Sequence, residues 1–281
     1  MMKKSTAEKA VSVLVSFLMS LLLFLFACVL ILQGTLLNPD YLRKQLYESH
    51  YYENVLEEVE NEFSSYASAS GFDQKLLNSA LDINDLQMVA NQSLNRIYGE
   101  KAENISNANF QSKLNQILTQ NAKSRGVTLT EDNKKSLLLL AQTCSDTYLK
   151  DISFPYTEEL GEAIGKIKTI LRLPSVLLPV LVVILAGVLF RITPWRHRAL
   201  RACIYAVSGT TLMLAVFPAY LYFSGRIGQV AILSKSLYAL TVSCANGILI
   251  LFLEGAAVSA GIAAILCLLY YRSRERVSKV Y

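Results

Sequence analysis

The chain has 281 residues, 53% of them hydrophobic, and a formal net charge of +5. This composition excludes an ordinary soluble protein, because the apolar residues form four runs that are each long enough to cross a bilayer, which takes about 20 helical residues. We predict an all-α integral membrane protein with four transmembrane helices, at residues 11–33, 173–190, 200–223 and 241–271.

The first apolar run follows a short basic tail, residues 1–10, and we expect it to be an uncleaved signal anchor. The run is about twice as long as the 7–15-residue apolar region of a cleaved signal peptide. No small-x-small cleavage site follows it in the stretch LQGTLLNPD, residues 32–40. The chain is therefore expected to keep this run as its first transmembrane helix.

The distribution of charge predicts the orientation in the membrane. The three segments expected on one side have net charges of +2 (residues 1–10), +4 (191–201) and +3 (272–281). Residues 34–172 carry 14 basic and 19 acidic residues, a net charge of −5. Basic residues near membrane ends stay cytoplasmic, so both termini and the loop 191–199 are predicted inside and residues 34–172 outside. The basic residues that carry this signal are Arg191, Arg196, Arg198, Arg201, Arg272, Arg274 and Arg276. The net charge thus reflects topology and indicates no nucleic-acid partner.

Residues 34–172 predict an all-helical extracytoplasmic bundle, inserted between the first and second transmembrane helices. No proline lies between Pro39 and Pro155, and apolar residues recur there at helical spacing. A segment of this length can bury a core of its own. We expect one helix from Asn38 to Gly71 and further helices that begin at Asn84, Ser106 and Thr130.

One stretch of this segment, YYENVLEEVENEFSSYASASGFDQKLLNSALDINDLQMVANQSLNRIYGE, residues 51–100, resembles a known group of proteins. It is similar to the start of the outer domain in uncharacterised four-span membrane proteins of low-GC Gram-positive bacteria. The resemblance implies a bacterial plasma membrane. It includes no catalytic motif and implies no activity.

No sequence motif indicates an enzyme. The nucleophile elbow, the glycine-rich phosphate loop and the HExxH motif do not occur. His50 and Glu53 have the spacing of metal ligands on a helix, but an isolated pair on an acid-rich helix is typical of a solvated surface. We expect no catalytic residues, cofactor or metal. The predicted cytoplasmic parts are too short to fold, so any ATP-driven chemistry would have to come from a partner.

Two further features of the outer side remain predictions with open points. Cys144 is the one cysteine in residues 34–172, and Cys244 near the outer end of the fourth span is its candidate partner, so the sequence leaves open whether they pair. Residues 224–240, between the third and fourth spans, are predicted to be an outer loop. Their apolar side chains favour a short amphipathic helix along the membrane interface.

The stretch LFLEGAAVSAG, residues 251–261, places Glu254 inside an apolar run. A carboxylate at the bilayer centre costs about 3 kcal/mol on insertion scales, so such residues usually face other helices or water. Two small-xxx-small pairs, which allow close helix contact, surround it in the sequence: Gly255 with Ser259, and Ala257 with Gly261. The third span offers three hydroxyl groups at similar depth as hydrogen-bond donors to Glu254: Ser208, Thr210 and Thr211. We expect Glu254 to be buried against Thr211 and the small residues. We expect Glu254 to hold helices together, and a proton or cation site is the alternative.

Three functions are compatible with this layout. We favour a membrane sensor or scaffold that binds an extracytoplasmic partner through its helical outer domain, with a protein partner or a homo-oligomer in the lipid bilayer. The first alternative is a permease-type subunit of an ABC-like export or mechanotransmission complex, because one span, a large outer domain and three further spans resemble that layout. Such a subunit needs a separate ATPase. The second alternative is a small transporter or channel that uses Glu254.

Overall fold

The structure is a computed structural model that describes residues 2–100, 108–128, 130–154, 157–193 and 196–278. Every regular element in these ranges is a helix, which confirms the predicted all-α class. The helices are α1 (Met2–Gly34), α2 (Pro39–Glu48), α3 (Tyr51–Ser70), α4 (Gln74–Asn78), α5 (Ile83–Ile97), α6 (Ala108–Ser124), α7 (Glu131–Ile152), α8 (Thr157–Ile192), α9 (Arg196–Ser224), a 3₁₀ turn (Arg226–Gln229) and α10 (Lys235–Ser278).

Four stretches of the described chain are helical, long and apolar enough to cross a membrane, in agreement with the prediction. They are Ala10–Gly34, Glu131–Ile192, His197–Ser224 and Lys235–Arg274. The second stretch contains two helices, because α7 ends at Ile152 and α8 begins at Thr157. Its apolar part lies in α8, which has no charged side chain between Arg172 and Arg191. The chain is therefore consistent with a multi-pass membrane protein.

The chain divides into two compact units. The span unit consists of Met1–Asn38, Lys166–Val230 and Cys244–Tyr281, and the bundle unit consists of Pro39–Gly165 and Ala231–Ser243. Both α8 and α10 begin in residues of the bundle unit and continue, without a break, in residues of the span unit. Most of the predicted outer loop at residues 224–240 thus clusters with the helices of the bundle unit.

The bundle unit has an apolar core of its own. Long helices contribute side chains that are 0–1% exposed, at the helical spacing expected for amphipathic segments; they are Val55, Val59, Phe63, Leu86, Leu94, Leu114, Leu118 and Ala141. Aromatic rings extend this core, since Phe110 stacks on Tyr148 with 4.1 Å between ring centroids. Burial of this kind is the main source of helix stability in a folded domain.

The helix boundaries in the bundle unit follow local capping chemistry. The hydroxyl of Thr130 accepts a hydrogen bond from the backbone N–H of Asn133, and Gly71 ends α3 with a left-handed φ of 73° that suits glycine. The start of α5 differs from the prediction, because the carboxylate of Asp82 caps it and accepts from the N–H of Asn84. The predicted cap at Ser106 lies outside the described residues. A left-handed His50 (φ 53°) separates α2 from α3, where the sequence predicted one helix.

Close packing of α1 against α9 organises the span unit. A buried cluster joins Met19 of α1, Leu189 of α8 and three small residues of α9, which are Ala202, Cys203 and Ala206. Small side chains let helix backbones approach in a membrane, where dispersion contacts rather than water exclusion hold helices together. The approach leaves no room for a side chain at Gly209 of α9, where an added Cβ would lie 2.6 Å from Ser20 Oγ.

Candidate functional site

The hydroxyl groups predicted to meet Glu254 have other partners in the structure. Thr210 Oγ1 donates to the carbonyl oxygen of Ser20 at 3.1 Å, or to that of Ala206 one turn back at 3.0 Å. The hydroxyl of Thr210 thus serves the contact between α1 and α9. The side chain of Ser208 is half-buried.

The second hydroxyl contact joins α9 to α10. Thr211 Oγ1 lies 2.9 Å from Ser259 Oγ, and Ser259 Oγ lies 3.3 Å from the carbonyl oxygen of Val207. A Cβ added at Gly255 would lie 3.8 Å from Cδ1 of Leu214, which is ordinary contact. Of the two small-xxx-small pairs, Gly255 with Ser259 therefore faces α9.

The other small-xxx-small pair shares an exposed face of α10 with Glu254. Glu254 lies at the middle of the candidate span Lys235–Arg274, and its side chain is exposed in the single chain. Ala257 and Gly261, one and two turns further along, are exposed as well. No described residue makes a hydrogen bond to Glu254, so the expected contact with Thr211 is replaced by the contact between Thr211 and Ser259.

The residues that predicted the topology are solvent-exposed where the structure describes them. Their described side chains are those of Arg191, Arg198, Arg201, Arg272 and Arg274. The side chains of Arg196 and Arg276 lie outside the described part.

Cys144 and Cys244 form no disulfide bond in the structure. Cys144 is fully buried in the core of the bundle unit, and burial raises its pKa to about 11. A buried thiol with a raised pKa is a poor nucleophile, which is typical of a structural cysteine.

A polar contact with several hydrogen bonds in the bundle unit involves residues that the sequence did not single out. The carboxylate of Glu58 on α3 accepts hydrogen bonds from the backbone N–H of Ser236 at 3.1 Å and from its hydroxyl at 2.7 Å. The hydroxyl of Ser234 donates to the same carboxylate at 3.3 Å. Ser234 Oγ also accepts from the N–H of Leu237 at 3.2 Å and thereby caps α10. We call this contact of Glu58 with Ser234 and Ser236 the latch.

Two neighbouring contacts reinforce the latch. Lys235 Nζ lies 2.6 Å from Glu57 on the exposed side of α3. Ser243, two turns along α10, donates to Oε1 of the buried Gln45 at 2.6 Å. The first turns of α10 are therefore held to α2 and α3 by several polar contacts. A negative charge at a helix N-terminus also interacts favourably with the helix dipole.

A cavity of about 460 Å³ lies beside the latch within the bundle unit. Its lining includes the three acids Glu58, Glu62 and Asp151, together with Tyr51, Asn61, Lys150, Ser153, Leu233, Ser234, Ser236 and Leu237. Asp151 Oδ2 is buried and has no hydrogen-bond partner among the described residues. Burial above all, and then the charge of Glu62, raise the pKa of Asp151 to about 6.

No known protein family, curated protein or solved structure matches the chain. Its function is therefore inferred from the contacts and surfaces of its own residues.

Proposed function

We propose that the chain is a membrane sensor or scaffold whose bundle unit lies outside the cytoplasm and binds a protein partner there. The observation that carries this proposal is the continuity of α8 and α10, which pass unbroken from residues of the bundle unit to residues of the span unit. A partner that shifts the bundle unit therefore acts on two helices that also belong to the membrane part. The latch ties the start of α10 to α3 and supports such coupling.

The surface of the bundle unit offers apolar side chains for a partner. Leu139 on α7 is 63% exposed beside the 48% exposed Leu138, and Tyr47 on α2 is 74% exposed. Contiguous exposed apolar side chains mark interaction surfaces, and tyrosine is among the residues enriched at binding hot spots. The bundle unit thus has its own core for rigidity and apolar anchors for binding.

The charge distribution and the resemblance to bacterial four-span proteins support the proposed setting, a bacterial plasma membrane with both termini in the cytoplasm. Residues 34–172 are net acidic, whereas residues 1–10, 191–201 and 272–281 are net basic. We therefore place the recognition step outside the cytoplasm.

The exposed face of α10 supports a second contact, inside the membrane, with a second copy of the chain. An unpaired carboxyl group at mid-membrane is costly, and a protonated carboxyl both donates and accepts hydrogen bonds. Two copies of Glu254 related by a two-fold axis can therefore satisfy each other, and Ala257 with Gly261 permits the close approach. This contact makes the scaffold a homodimer.

Photo-crosslinking in living cells tests the proposed recognition step. A photoreactive phenylalanine analogue replaces one exposed residue at a time in the full-length protein, at Tyr47, Met88, Leu138, Leu139 and, as a polar control on α6, Gln120. We expect adducts with one protein at a contiguous subset of the apolar positions and none at Gln120. Adducts at no position would contradict the proposal.

The same experiment separates the proposal from the permease alternative. If an ATPase co-purifies with the full-length chain in stoichiometric amount, the chain is a subunit of an ATP-driven complex. If the adducts identify an extracytoplasmic protein and no ATPase co-purifies, the sensor or scaffold function is supported.

A further inference from the structure

The latch and the cavity place an unpaired acid beside the carboxylate that holds α10. Glu58 accepts its hydrogen bonds from Ser234 and Ser236, and no hydrogen bond joins it to Asp151 in the described part of the chain. The buried Oδ2 of Asp151 lacks a partner among the described residues. An unpaired buried carboxylate is unfavourable, and a protonated carboxyl is far less so.

We propose that the latch is pH-sensitive, closing when Asp151 is protonated and loosening when Asp151 is ionised. Protonation leaves two negative charges at the cavity, whereas ionisation makes three. The added charge repels Glu58 and Glu62, and movement of Glu58 away from Asp151 relieves the repulsion at the expense of the hydrogen bonds from Ser234 and Ser236. This inference concerns the chain alone and does not depend on the proposed function.

The groups that face Asp151 all bear on this balance. From α3, Glu62 and, more weakly, Glu58 raise its pKa, and Tyr51 lines the cavity as a neutral phenol whose own pKa is raised by burial. From α7, Lys150 lowers the pKa of Asp151 but does not outweigh burial. The described cavity residues contributed by Ala231–Ser243 are uncharged, because Lys235 is engaged with Glu57 outside the cavity.

The direction of the effect follows from linkage. The closed latch holds Asp151 with a pKa of about 6, above its ordinary value of 3.8, so the closed form binds the proton more tightly than an open form that hydrates the group. Closure is favoured below pH 4 and is weakened as the pH rises through 6. If the open form restores the ordinary pKa, raising the pH from 5 to 7.5 increases the open-to-closed ratio by at most about tenfold.

Amide hydrogen exchange of the full-length protein in lipid nanodiscs tests the proposal. The wild type is compared with Asp151→Asn, whose side chain is neutral at every pH. The exchange rate of residues 232–243 in the wild type is divided by that in the variant, because this ratio cancels the intrinsic pH dependence of amide exchange. We expect this ratio to rise severalfold between pH 5 and pH 7.5. A ratio that is constant, or that falls, would overturn the proposal.

Two further variants keep the test decisive if Asp151→Asn fails to fold. Glu62→Gln removes a neighbouring charge, so the pH at which residues 232–243 become more exchangeable should shift downward relative to the wild type. Asp132→Asn changes an exposed acid in the first turn of the same helix and should leave the profile unchanged. A downward shift in both variants, or in neither, would show that the charge beside the latch does not control it.

Discussion

Adding one methyl group at Gly209 should destabilise the contact between α1 and α9. A Cβ there would lie 2.6 Å from Ser20 Oγ and 3.3 Å from Ser20 Cβ, both closer than normal contact. Overpacking of this kind costs about 1–3 kcal/mol. Replacing glycine by alanine inside a helix gains up to about 1 kcal/mol. Gly209→Ala alone should therefore lower the free energy of unfolding by about 0–2 kcal/mol.

A double-mutant cycle isolates the steric part of this effect. Ser20→Ala removes the Oγ atom, which is itself buried without a hydrogen-bond partner among the described residues. The 2.6 Å clash then disappears, only the tight 3.3 Å approach to the Cβ of residue 20 remains, and the helix-propensity gain is kept. In the Ser20→Ala background, Gly209→Ala should stabilise by up to about 1 kcal/mol. The two backgrounds should therefore differ by about 1–3 kcal/mol.

Reversible unfolding in mixed detergent micelles measures these free energies. The matched control is Gly187→Ala in α8, where an added Cβ meets no atom within 4 Å and Ser20→Ala should have no influence. If Gly209→Ala has the same effect in both backgrounds, to within about 0.5 kcal/mol, the close approach of α1 and α9 at this position is refuted.

The remaining predictions concern the latch and the exposed face of α10. Glu58→Ala removes three hydrogen bonds and should lower the free energy of local opening of residues 231–243, measured by amide exchange, by about 2 kcal/mol. Glu57→Ala breaks only an exposed ion pair and should change this free energy by less than about 1 kcal/mol. Equal effects of the two variants would refute the role of Glu58. Glu254→Leu should weaken dimerisation in lipid by about 1 kcal/mol and Glu254→Gln should preserve it, as measured by subunit exchange between labelled copies. A flux of protons or cations that Glu254→Gln abolishes, with dimerisation unchanged, would favour the transporter alternative.

Hydropathy and capping chemistry made much of the fold predictable, because both act within short stretches of chain. The four apolar runs are sufficient to locate the spanning helices, since each backbone polar group in lipid must be satisfied within its own helix. Thr130 and Gly71 were predicted as helix boundaries because capping depends only on the adjacent turn. The hydroxyl of Thr130 accepts a hydrogen bond from a backbone N–H of that turn, and Gly71, which has no side chain, adopts the left-handed conformation that ends α3. Asp82 was missed in favour of Asn84, two residues away, because both are good capping residues.

The latch was not predictable from local patterns. Glu58 and Ser236 are 178 residues apart, and the acids around Glu58 read as the solvated face of an amphipathic helix. The apolar residues between positions 224 and 240 favoured a membrane-interface helix, whereas the polar Ser234 and Ser236 determine the observed contact. Long-range pairing of this kind depends on which helices are adjacent in the fold. The periodicity of apolar residues along the sequence does not contain this information.

The sequence also did not predict which face of α10 contacts α9. The pair Gly255 with Ser259 and the pair Ala257 with Gly261 have the same spacing, yet the two pairs lie on different faces of the helix. Only the contacts with Leu214 and Thr211 show that the first pair faces α9. Glu254 consequently lies on the other side, where the structure leaves it exposed.

The side of the membrane that carries the bundle unit tests the central claim most directly. One epitope is inserted after Gly126, in the exposed connection between α6 and α7, and another is added at the C-terminus, and antibody binding is measured in sealed cells and after permeabilisation. We expect the Gly126 epitope to be labelled in sealed cells and the C-terminal epitope to be labelled only after permeabilisation. Labelling of the Gly126 epitope only after permeabilisation would place the bundle unit in the cytoplasm and contradict the proposed extracytoplasmic recognition.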